Sequence, residues 1–580
     1  MAVLGVDVGG TFTDAVVLDD GRVTTAKVLT APRQEESVLA AARAAGAVSV
    51  ERFAHGTTVA TNALLERKGA RTAFVTTAGF EHLLHLRRQT RADLYRPCAA
   101  WPEPLVPLER TFGVRGRMGP DGELEPLDLE TLPDIDADAV AVCLLHAYRD
   151  PTHERAVVEE LRRRRPGMHV VASHEVAPEF REYERASTTA ADAYLGPVVA
   201  RYLRALAGAA GDAGLPVPLV MRSSGGVATP EEAAEHPATI LVSGPAAGVV
   251  GAARLAALAG IEDAIAFDMG GTSTDVCLIT GGRAERASER TVAGLPIRLP
   301  TVDLHTVGAG GGSLIWTDAG GALRVGPQSA GANPGPACYG RGGRQGTVTD
   351  ANLLLGRLPR QLAGGVELDL AAAERALAGI DPAAVIDVVN AEMLRALRVV
   401  SVERGHDPAD FALVAFGGAG PLHACDLADE LGIRTVLVPE TAGVLSALGL
   451  VASDERRDAV RSYLVPLADA GELPREGEAD LRYAGQSFEL TLPLQGEDLA
   501  EAFHRAHEER YGFSERNREL ELVVVRTVEV RHGPKLELLG SETRVVEGPE
   551  LLALPGATVW VPDGWNGKTD EHGTIVLNRA

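Results

Sequence analysis

The strongest constraint on the fold of this chain is an eight-residue motif that occurs twice. Residues 7–14 read DVGGTFTD, and residues 268–275 read DMGGTSTD. An apolar run precedes each copy and another follows it, which predicts a strand, a tight Gly-Gly turn and a returning strand. A single copy is compatible with an ordinary hairpin turn. Two copies in matching contexts indicate two related structural units.

The residues at the hairpin tips predict a phosphate site. Glycine lets a backbone N–H group approach an anion closely, and a threonine hydroxyl donates a hydrogen bond. Two such hairpins predict two lobes that grip one nucleotide from opposite sides. The predicted phosphate-binding residues are Gly9, Gly10, Thr11 and Thr13 in the first hairpin, and Gly270, Gly271, Thr272 and Thr274 in the second.

An aspartate opens each copy of the motif. We expect Asp7 and Asp268 to be catalytic, since carboxylates can hold Mg²⁺ through its water molecules or orient a nucleophile. The competing interpretation is that each carboxylate only caps its own turn, as aspartates do in Asx turns. Asp14 and Asp275 are weaker candidates, because each can cap the returning strand.

A third glycine-rich segment follows the apolar run 412–416 and precedes a predicted helix that starts at Leu422. A glycine loop between a strand and a helix N-terminus suits a nucleotide, although the signal is weak when it stands alone. Beside two phosphate hairpins it predicts the nucleoside side of an ATP site, with Gly417, Gly418 and Gly420 facing adenosine.

Bulk properties exclude several classes of partner. The net charge of −24 argues against binding to nucleic acid or to an anionic membrane. The five cysteines form no C-x-x-C pair, so neither a zinc site nor a disulfide framework is indicated. No charge-free apolar stretch reaches membrane-spanning length, and the first strand is predicted to begin at Val3, which leaves no room for a signal peptide. We expect a cytoplasmic protein.

The order of predicted strands and helices along the chain indicates an α/β fold with two lobes and a smaller tail. Residues 1–182 alternate short apolar strands with helices around the first hairpin, and residues 183–455 restart this pattern around the second. Residues 456–580 contain alternating segments typical of antiparallel strands, with a helix between them, and are predicted to form an α+β domain.

Two further pairs of residues are candidates for substrate or metal contacts. His55 and Asn62 would line an acceptor pocket, on a predicted helix that runs from His55 to Arg67; the alternative is that a nearby threonine caps this helix and His55 packs at its entry. Asp303 and His305 alternate on a predicted strand and share one face, which suits a metal or a polar substrate. A polar pair that braces the following glycine loop is an equal alternative.

The motifs together resemble the A-type subunit of the hydantoinase/oxoprolinase family, whose members include N-methylhydantoinase, 5-oxoprolinase and relatives of acetone carboxylase. The resemblance covers nearly the whole chain. It is carried by the first hairpin, by HGTTVATN at 55–62, RQ at 88–89, LY at 94–95, EYER at 182–185, DLHTVGAGGGS at 303–313, FGGAGPLH at 416–423 and RYAGQ at 482–486. Arg87 departs from the small residue that often precedes the RQ pair.

The resemblance implies an actin-like, sugar-kinase-like and Hsp70-like ATPase fold, with ATP and Mg²⁺ bound between the lobes. It also implies ATP-driven activation of a small-molecule amide or carbonyl, such as a hydantoin or 5-oxoproline, and a hetero-oligomer with a separate B-type subunit. Ketone carboxylation, a small-molecule kinase and a non-catalytic ATP switch are the alternative functions.

Overall fold

The computed structural model describes residues 2–362, 366–496, 498–540 and 543–580. Its largest sheet has ten strands and contains the first hairpin, whose strands are Val3–Val8 and Phe12–Asp19. Val3–Val8 also pairs in parallel with Arg52–Gly56, so it lies in the interior of the sheet. In spatial order the strands are Leu490–Pro493, Glu478–Tyr483, Leu520–Arg531, Glu455–Pro466, Val227–Ala228, Leu219–Met221, Arg52–Gly56, Val3–Val8, Phe12–Asp19 and Arg22–Leu29.

The second sheet has nine strands and repeats the arrangement of the first. Its hairpin strands are Ala264–Met269 and Thr274–Thr280, and Ala264–Met269 pairs in parallel with Ala412–Phe416. In spatial order the strands are Arg283–Ala284, Thr274–Thr280, Ala264–Met269, Ala412–Phe416, Thr435–Pro439, Thr574–Arg579, Trp565–Thr569 and Val545–Glu547, with His305–Val307 paired to Thr274–Thr280.

A third sheet of five strands belongs to a separate part of the first lobe with its own apolar core. Its order is Gly122–Asp128, Thr111–Gly119, Thr72–Thr77, Ala139–Cys143 and His169–Ala172. Five two-stranded sheets complete the strand inventory of the described residues: Arg286–Ala287 with Thr301–Val302, Arg290–Val292 with Leu295–Ile297, Ser313–Thr317 with Leu323–Ser329, Gln361–Leu362 with Val366–Glu367, and Glu550–Leu554 with Ala557–Val561.

Helices cover the faces of these sheets. The longest, Glu182–Asp212, is rich in alanine and buries much of its surface against the first sheet and the third. The other α-helices are Gln34–Ala44, Val59–Leu65, Leu83–Leu86, Thr152–Arg164, Ser173–Val176, Pro230–Glu235, Ser243–Leu258, Val348–Leu354, Leu370–Ala376, Pro382–Val400, Gly420–Leu431, Leu445–Val451 and Leu499–Tyr511. Within the described residues, no helix combines the length and the apolarity needed to cross a bilayer.

The two lobes are joined through a pair of helices that contact each other. Ser243–Leu258 leads from the first sheet into the second, and Leu445–Val451 leads back. Glycines make the close contact possible: a methyl group at Gly449 would overlap the carbonyl oxygen of Ala247, and one at Gly5 would overlap that of Ala447. The helices therefore fix how the two hairpins face each other.

The strands of the tail are divided among the two large sheets and one small sheet. Four strands between residues 455 and 531 extend the first sheet, and Val545–Glu547, Trp565–Thr569 and Thr574–Arg579 extend the second. Glu550–Leu554 and Ala557–Val561 pair with each other. Tail strands pair antiparallel with one another and with Thr435–Pro439, while Glu455–Pro466 also pairs in parallel with Val227–Ala228. The helix Leu499–Tyr511 lies between two of the tail strands along the chain, in agreement with the predicted α+β content. The division at residues 182 and 455 stays a prediction about domains, but the sheets do not follow these boundaries.

Two predictions of local structure were wrong. His55 does not begin a helix, since it lies in the strand Arg52–Gly56 and the helix starts at Val59. Asp303 and His305 do not share one strand, because Asp303 lies between Thr301–Val302 and His305–Val307. In both places, a polar segment turns within a few residues, and the sequence spacing alone does not reveal the turn.

The contact between the crossing helices can be tested by adding one methyl group. Gly449→Ala is expected to lower the free energy of unfolding by about 1–3 kcal/mol, because the backbone of the partner helix occupies the space. Gly208→Ala is the matched control, since this helical glycine has open space around its Cα and alanine favours helix. Thermal and denaturant melting curves would contradict the account if Gly449→Ala were as stable as the control.

Candidate functional site

The two hairpins close with the same turn. The N–H of Gly9 donates to the carbonyl of Phe12 at 2.9 Å, and the N–H of Gly270 donates to the carbonyl of Ser273 at 3.0 Å. A neighbouring segment forms a further hydrogen bond to each turn. The hydroxyl of Thr30 donates to the carbonyl of Gly9, and the N–H of Gly311 donates to the carbonyl of Gly270. The tips are therefore held rigidly by their own backbone and by one neighbouring segment.

Each tip presents free hydrogen-bond donors. The N–H groups of Gly10 and Thr11, and of Gly271 and Thr272, make no hydrogen bond within the described parts of the chain. All four residues line one cleft between the lobes, which has a volume of about 450 Å³. Unpaired backbone donors that converge on one cavity form the kind of site that binds an anion.

A carboxyl group stands at the base of each tip. Asp7 lies opposite Asp14 in the first hairpin, and Asp268 lies opposite Asp275 in the second. Asp7 and Asp268 both line the cleft. Each fits against a glycine: a Cβ at Gly56 or at Gly417 would overlap the Oδ1 of Asp7 or Asp268, respectively. The structure therefore brings the two predicted catalytic carboxyl groups to one cavity.

The electrostatics of the carboxyl groups match a site for a cation. Burial raises the pKa of Asp7 to about 7, with a further increase from Asp14 that Lys27 opposes. Burial raises the pKa of Asp268 to about 8, and Asp275 and Asp7 add to this shift. The Oδ1 of Asp7 is buried without a hydrogen-bond partner in the described structure. Two clustered carboxyl groups with an unsatisfied oxygen are a suitable environment for Mg²⁺ with its water shell.

The predicted threonines Thr13 and Thr274 lie behind the tips and outside the cleft lining. Both are fully buried. The hydroxyl of Thr13 shares a hydrogen bond with that of Thr30 at 3.0 Å, and the hydroxyl of Thr274 donates to the carbonyl of Ala309 at 2.6 Å. Their geometry supports the shape of the hairpins, and contact with phosphate remains a prediction for them.

The glycine loop lies beside the second hairpin. Gly417 and Gly418 line the cleft. Gly420 does not, and it begins the helix Gly420–Leu431 against the strand of Phe267. An apolar patch next to the loop belongs to the second lobe and is formed by Pro336, Tyr339, Leu358, Leu362 and Leu422. The cleft thus has an apolar end near the second hairpin and a polar middle between the two tips.

His55 and Asn62 lie away from the cleft lining. His55 is fully buried, its Nδ1 is 3.0 Å from the carbonyl oxygen of Val6, and its Nε2 is 2.7 Å from the hydroxyl of Tyr202. Burial lowers the pKa of His55 to about 4. The amide of Asn62 donates to Thr58 at 3.3 Å. Their catalytic role stays a prediction, and the contacts of His55 are those of a residue that ties the hairpin strand to the long helix.

Asp303 and His305 lie outside the cleft lining as well. The carboxylate of Asp303 accepts a hydrogen bond from the guanidinium of Arg404. No group of three or more His, Cys, Asp or Glu side chains with metal-binding geometry occurs among the residues that the structure describes. The ion pair with Arg404 accounts for Asp303 without a metal, while a metal at this pair remains a prediction.

Several cleft residues were not predicted from the sequence. They include Lys27 on the third strand, Thr349, the segment Gly443 to Ser446, and Gly556 with its neighbours in the tail. One available signal was composition, since Lys27 is one of only four lysines among 56 basic residues. The tail residues reach the cleft through tertiary packing: a Cβ at Gly443 would overlap the backbone of Gly556.

The paired hairpins and the two sheets around the cleft define a two-lobed α/β ATPase-type fold, as the repeat predicts. The hydantoinase/oxoprolinase family matches residues 185–459, and the N-terminal region of that family matches residues 3–164. The chain belongs to the hydantoinase/oxoprolinase family.

Individual relatives agree with this placement. The chain is 35% identical to the caprolactamase subunit alpha of Pseudomonas jessenii, over 99% of this chain and 92% of that protein. The crystal structure of the ATP-dependent caprolactamase from Pseudomonas jessenii superposes with a TM-score of 0.88 at 30% identity, covering 100% of both chains. The 5-oxoprolinase 1 of Arabidopsis thaliana is 36% identical, over 81% of this chain and 44% of that protein.

The raised pKa of Asp268 predicts a pH-dependent stability of the ligand-free chain. A carboxyl group with a pKa of about 8 in the folded chain and about 4 in the unfolded chain binds its proton more tightly when folded. Its stabilising contribution is therefore fully present below pH 4 and is lost as pH rises through 8. Asp268→Asn should reduce this loss between pH 5 and pH 8.5 by on the order of a few kcal/mol.

Denaturant melts at several pH values measure this effect. Asp387→Asn is the matched control, because Asp387 is exposed on the helix Pro382–Val400. Equal pH dependence in Asp268→Asn, the control and the unaltered chain would contradict the burial of a carboxyl group with a raised pKa.

Proposed function

We propose that this chain is the ATP-binding subunit of an enzyme that phosphorylates the carbonyl oxygen of a cyclic amide and thereby opens its ring. The observation that carries the proposal is the cleft itself, where free N–H donors of two hairpins converge with two half-buried carboxyl groups of raised pKa. The identity with a caprolactamase subunit over nearly the full length supports a lactam as the substrate class.

The chemistry explains why ATP is required. An unstrained amide resists hydrolysis because resonance stabilises it and because its nitrogen is a poor leaving group. Transfer of the γ-phosphoryl group to the carbonyl oxygen forms an imidate phosphate and releases ADP. A first water molecule adds to the carbon of the imidate, and breakage of the C–N bond leaves an acyl phosphate with a free amine. A second water molecule attacks the carbonyl carbon of the acyl phosphate, which yields the open-chain amino acid and releases inorganic phosphate that carries the former lactam oxygen. The protein has to orient the phosphates and the acceptor and to stabilise charge.

Different residues of the cleft bind different parts of the nucleotide. The adenine base fits the apolar end beside Tyr339 and Leu422, and Gly417 and Gly418 allow the ribose to approach the backbone. The N–H groups of Gly271 and Thr272 and those of the first hairpin then bind the phosphate chain. This arrangement directs the terminal phosphate away from the apolar end and towards the first hairpin.

Asp7 and Asp268 would hold Mg²⁺ through water, and the metal ion would neutralise charge on the phosphates. The two carboxyl groups fit this role because they share one cavity and because one buried oxygen of Asp7 has no hydrogen-bond partner in the described structure. In the ionised form, a carboxylate would also accept a hydrogen bond from the lactam N–H and thereby orient the adjacent carbonyl group relative to the phosphoryl group.

We also propose that a second subunit completes the enzyme. The caprolactamase relative that is 35% identical over nearly the full length is itself named as a subunit, which supports an assembly of more than one chain. The B-type subunit of the family is the proposed partner, and a pull-down with the full-length chain tests for it.

The proposed activity predicts lactam-dependent ATP hydrolysis. Phosphate release from ATP should rise when caprolactam, 5-oxoproline or a hydantoin is added together with the B-type subunit. Asp7→Asn and Asp268→Asn should lower this rate by at least about a hundredfold, since each removes a charge from the phosphoryl-transfer site. Asp387→Asn should retain the rate of the unaltered enzyme.

Two results would contradict the proposal. One is phosphate release that no cyclic amide stimulates, with the partner present. The other is a stable phosphorylated product, which would identify a small-molecule kinase. Circular dichroism of each variant confirms that a lost activity does not reflect an unfolded chain.

A further inference from the structure

Lys27 is a cation that lines the cleft and lies outside both copies of the repeated motif. It lies on the strand Arg22–Leu29, directly opposite Asp14, and it lines the cleft together with both hairpin tips. The side chain is 29% exposed, so a ligand in the cleft can reach its ammonium group. The chain uses arginine for nearly all its other positive charges, which makes a lysine at this position notable.

The surroundings of Lys27 hold the ammonium group in place. Its Nζ lies 2.5 Å from the Oδ1 of Asp14 and 5.2 Å from the centre of the Phe12 ring. Gly556, in the turn between the strands Glu550–Leu554 and Ala557–Val561, lies against the Lys27 side chain, since a Cβ at Gly556 would lie 3.4 Å from the Cε of Lys27. The ammonium group is thus positioned beside the first hairpin tip, and these contacts restrict the conformations of the side chain.

The second hairpin has no basic residue at the position that Lys27 occupies beside the first. Asp275 corresponds to Asp14 in the repeated motif, but the residue opposite Asp275 is Thr306. Arg290 approaches Asp275 and donates to Thr306, but it does not line the cleft. The two hairpins therefore differ in charge, because a lysine lies opposite Asp14 in the first and a threonine lies opposite Asp275 in the second.

We infer that Lys27 exchanges its contact with Asp14 for a contact with the terminal phosphoryl group of the bound nucleotide, and that it gives the cleft its preference for a triphosphate. This inference rests on the proposed function, because it assumes that the nucleoside occupies the apolar end. An ammonium group is a strong partner for a phosphate oxygen, and a charge-assisted hydrogen bond of this kind is stronger than a neutral one. In the proposed pose the terminal phosphoryl group is the part of the nucleotide that reaches the first hairpin, and a diphosphate lacks that group.

Isothermal titration of the full-length chain with Mg²⁺ and either ADP or adenylyl imidodiphosphate tests the inference. Lys27→Met should weaken binding of the triphosphate analogue by about ten- to a hundredfold, which is the range for one hydrogen bond to a charged group. Binding of ADP should change by less than about threefold, and Lys27→Arg should restore most of the preference for the analogue. Lys68→Met is the control, since Lys68 is exposed and pairs with Glu66.

A double variant separates phosphate binding from a structural role. If Lys27 only neutralised Asp14, Asp14→Asn combined with Lys27→Met would restore binding of the triphosphate analogue; the inference predicts that binding stays weak. Unchanged binding in Lys27→Met, an equal loss for both nucleotides, or recovery in the double variant would each overturn it. If the unaltered chain bound neither nucleotide, the proposed function would fail as well, whereas nucleotide binding that is insensitive to Lys27 would leave that function standing.

Discussion

The site depends on the contact between the two helices that join the lobes. Ser243–Leu258 and Leu445–Val451 approach so closely that a side chain at Gly449 would overlap the partner backbone. Their packing merges residues from both hairpin strands into one continuous apolar core. Because each helix leads from one sheet into the other, this core determines the distance and the angle between the two hairpin tips. A cleft lined by both copies of the motif follows from that arrangement.

The helix contact also concentrates negative charge. It brings Asp7 and Asp268 to one cavity, where burial and the neighbouring aspartates raise the pKa of both carboxyl groups. Such a cluster lowers the free energy of unfolding near neutral pH, because carboxyl groups with raised pKa values lose their stabilising contribution as they ionise. A cost of this kind is typical of a site that is completed by a cation and a ligand. Lys27 offsets part of this charge, through its ion pair with Asp14 and through its attraction to Asp7 and Asp268.

Sequence reasoning predicted the parts of the site that are local in the chain. Gly10, Thr11, Gly271 and Thr272 are found at the tips because turn chemistry is encoded within a few residues, and the repeat then implies the two lobes. Gly556 could not be predicted in this way, because it reaches the cleft only through packing of the tail against the second lobe.

For His55, the sequence identified the residue but not its contacts. Its motif drew attention to the residue, but only the fold reveals the hydrogen-bonding distances to Val6 and Tyr202 that place it beneath the hairpin. The motif identified a residue with a specific environment, while the nature of that environment depended on a helix about 150 residues further along the chain.

The central claim is that ATP phosphorylates the carbonyl oxygen of a cyclic amide, and an oxygen label follows that atom directly. The enzyme with its partner subunit would be supplied with unlabelled ATP, unlabelled water and a lactam whose carbonyl oxygen is ¹⁸O, and the inorganic phosphate would be analysed by mass spectrometry. If the carbonyl oxygen is phosphorylated, the phosphate released at each ring opening contains one ¹⁸O atom. Label found only in the carboxylate of the open-chain product, with none in the phosphate, would contradict it.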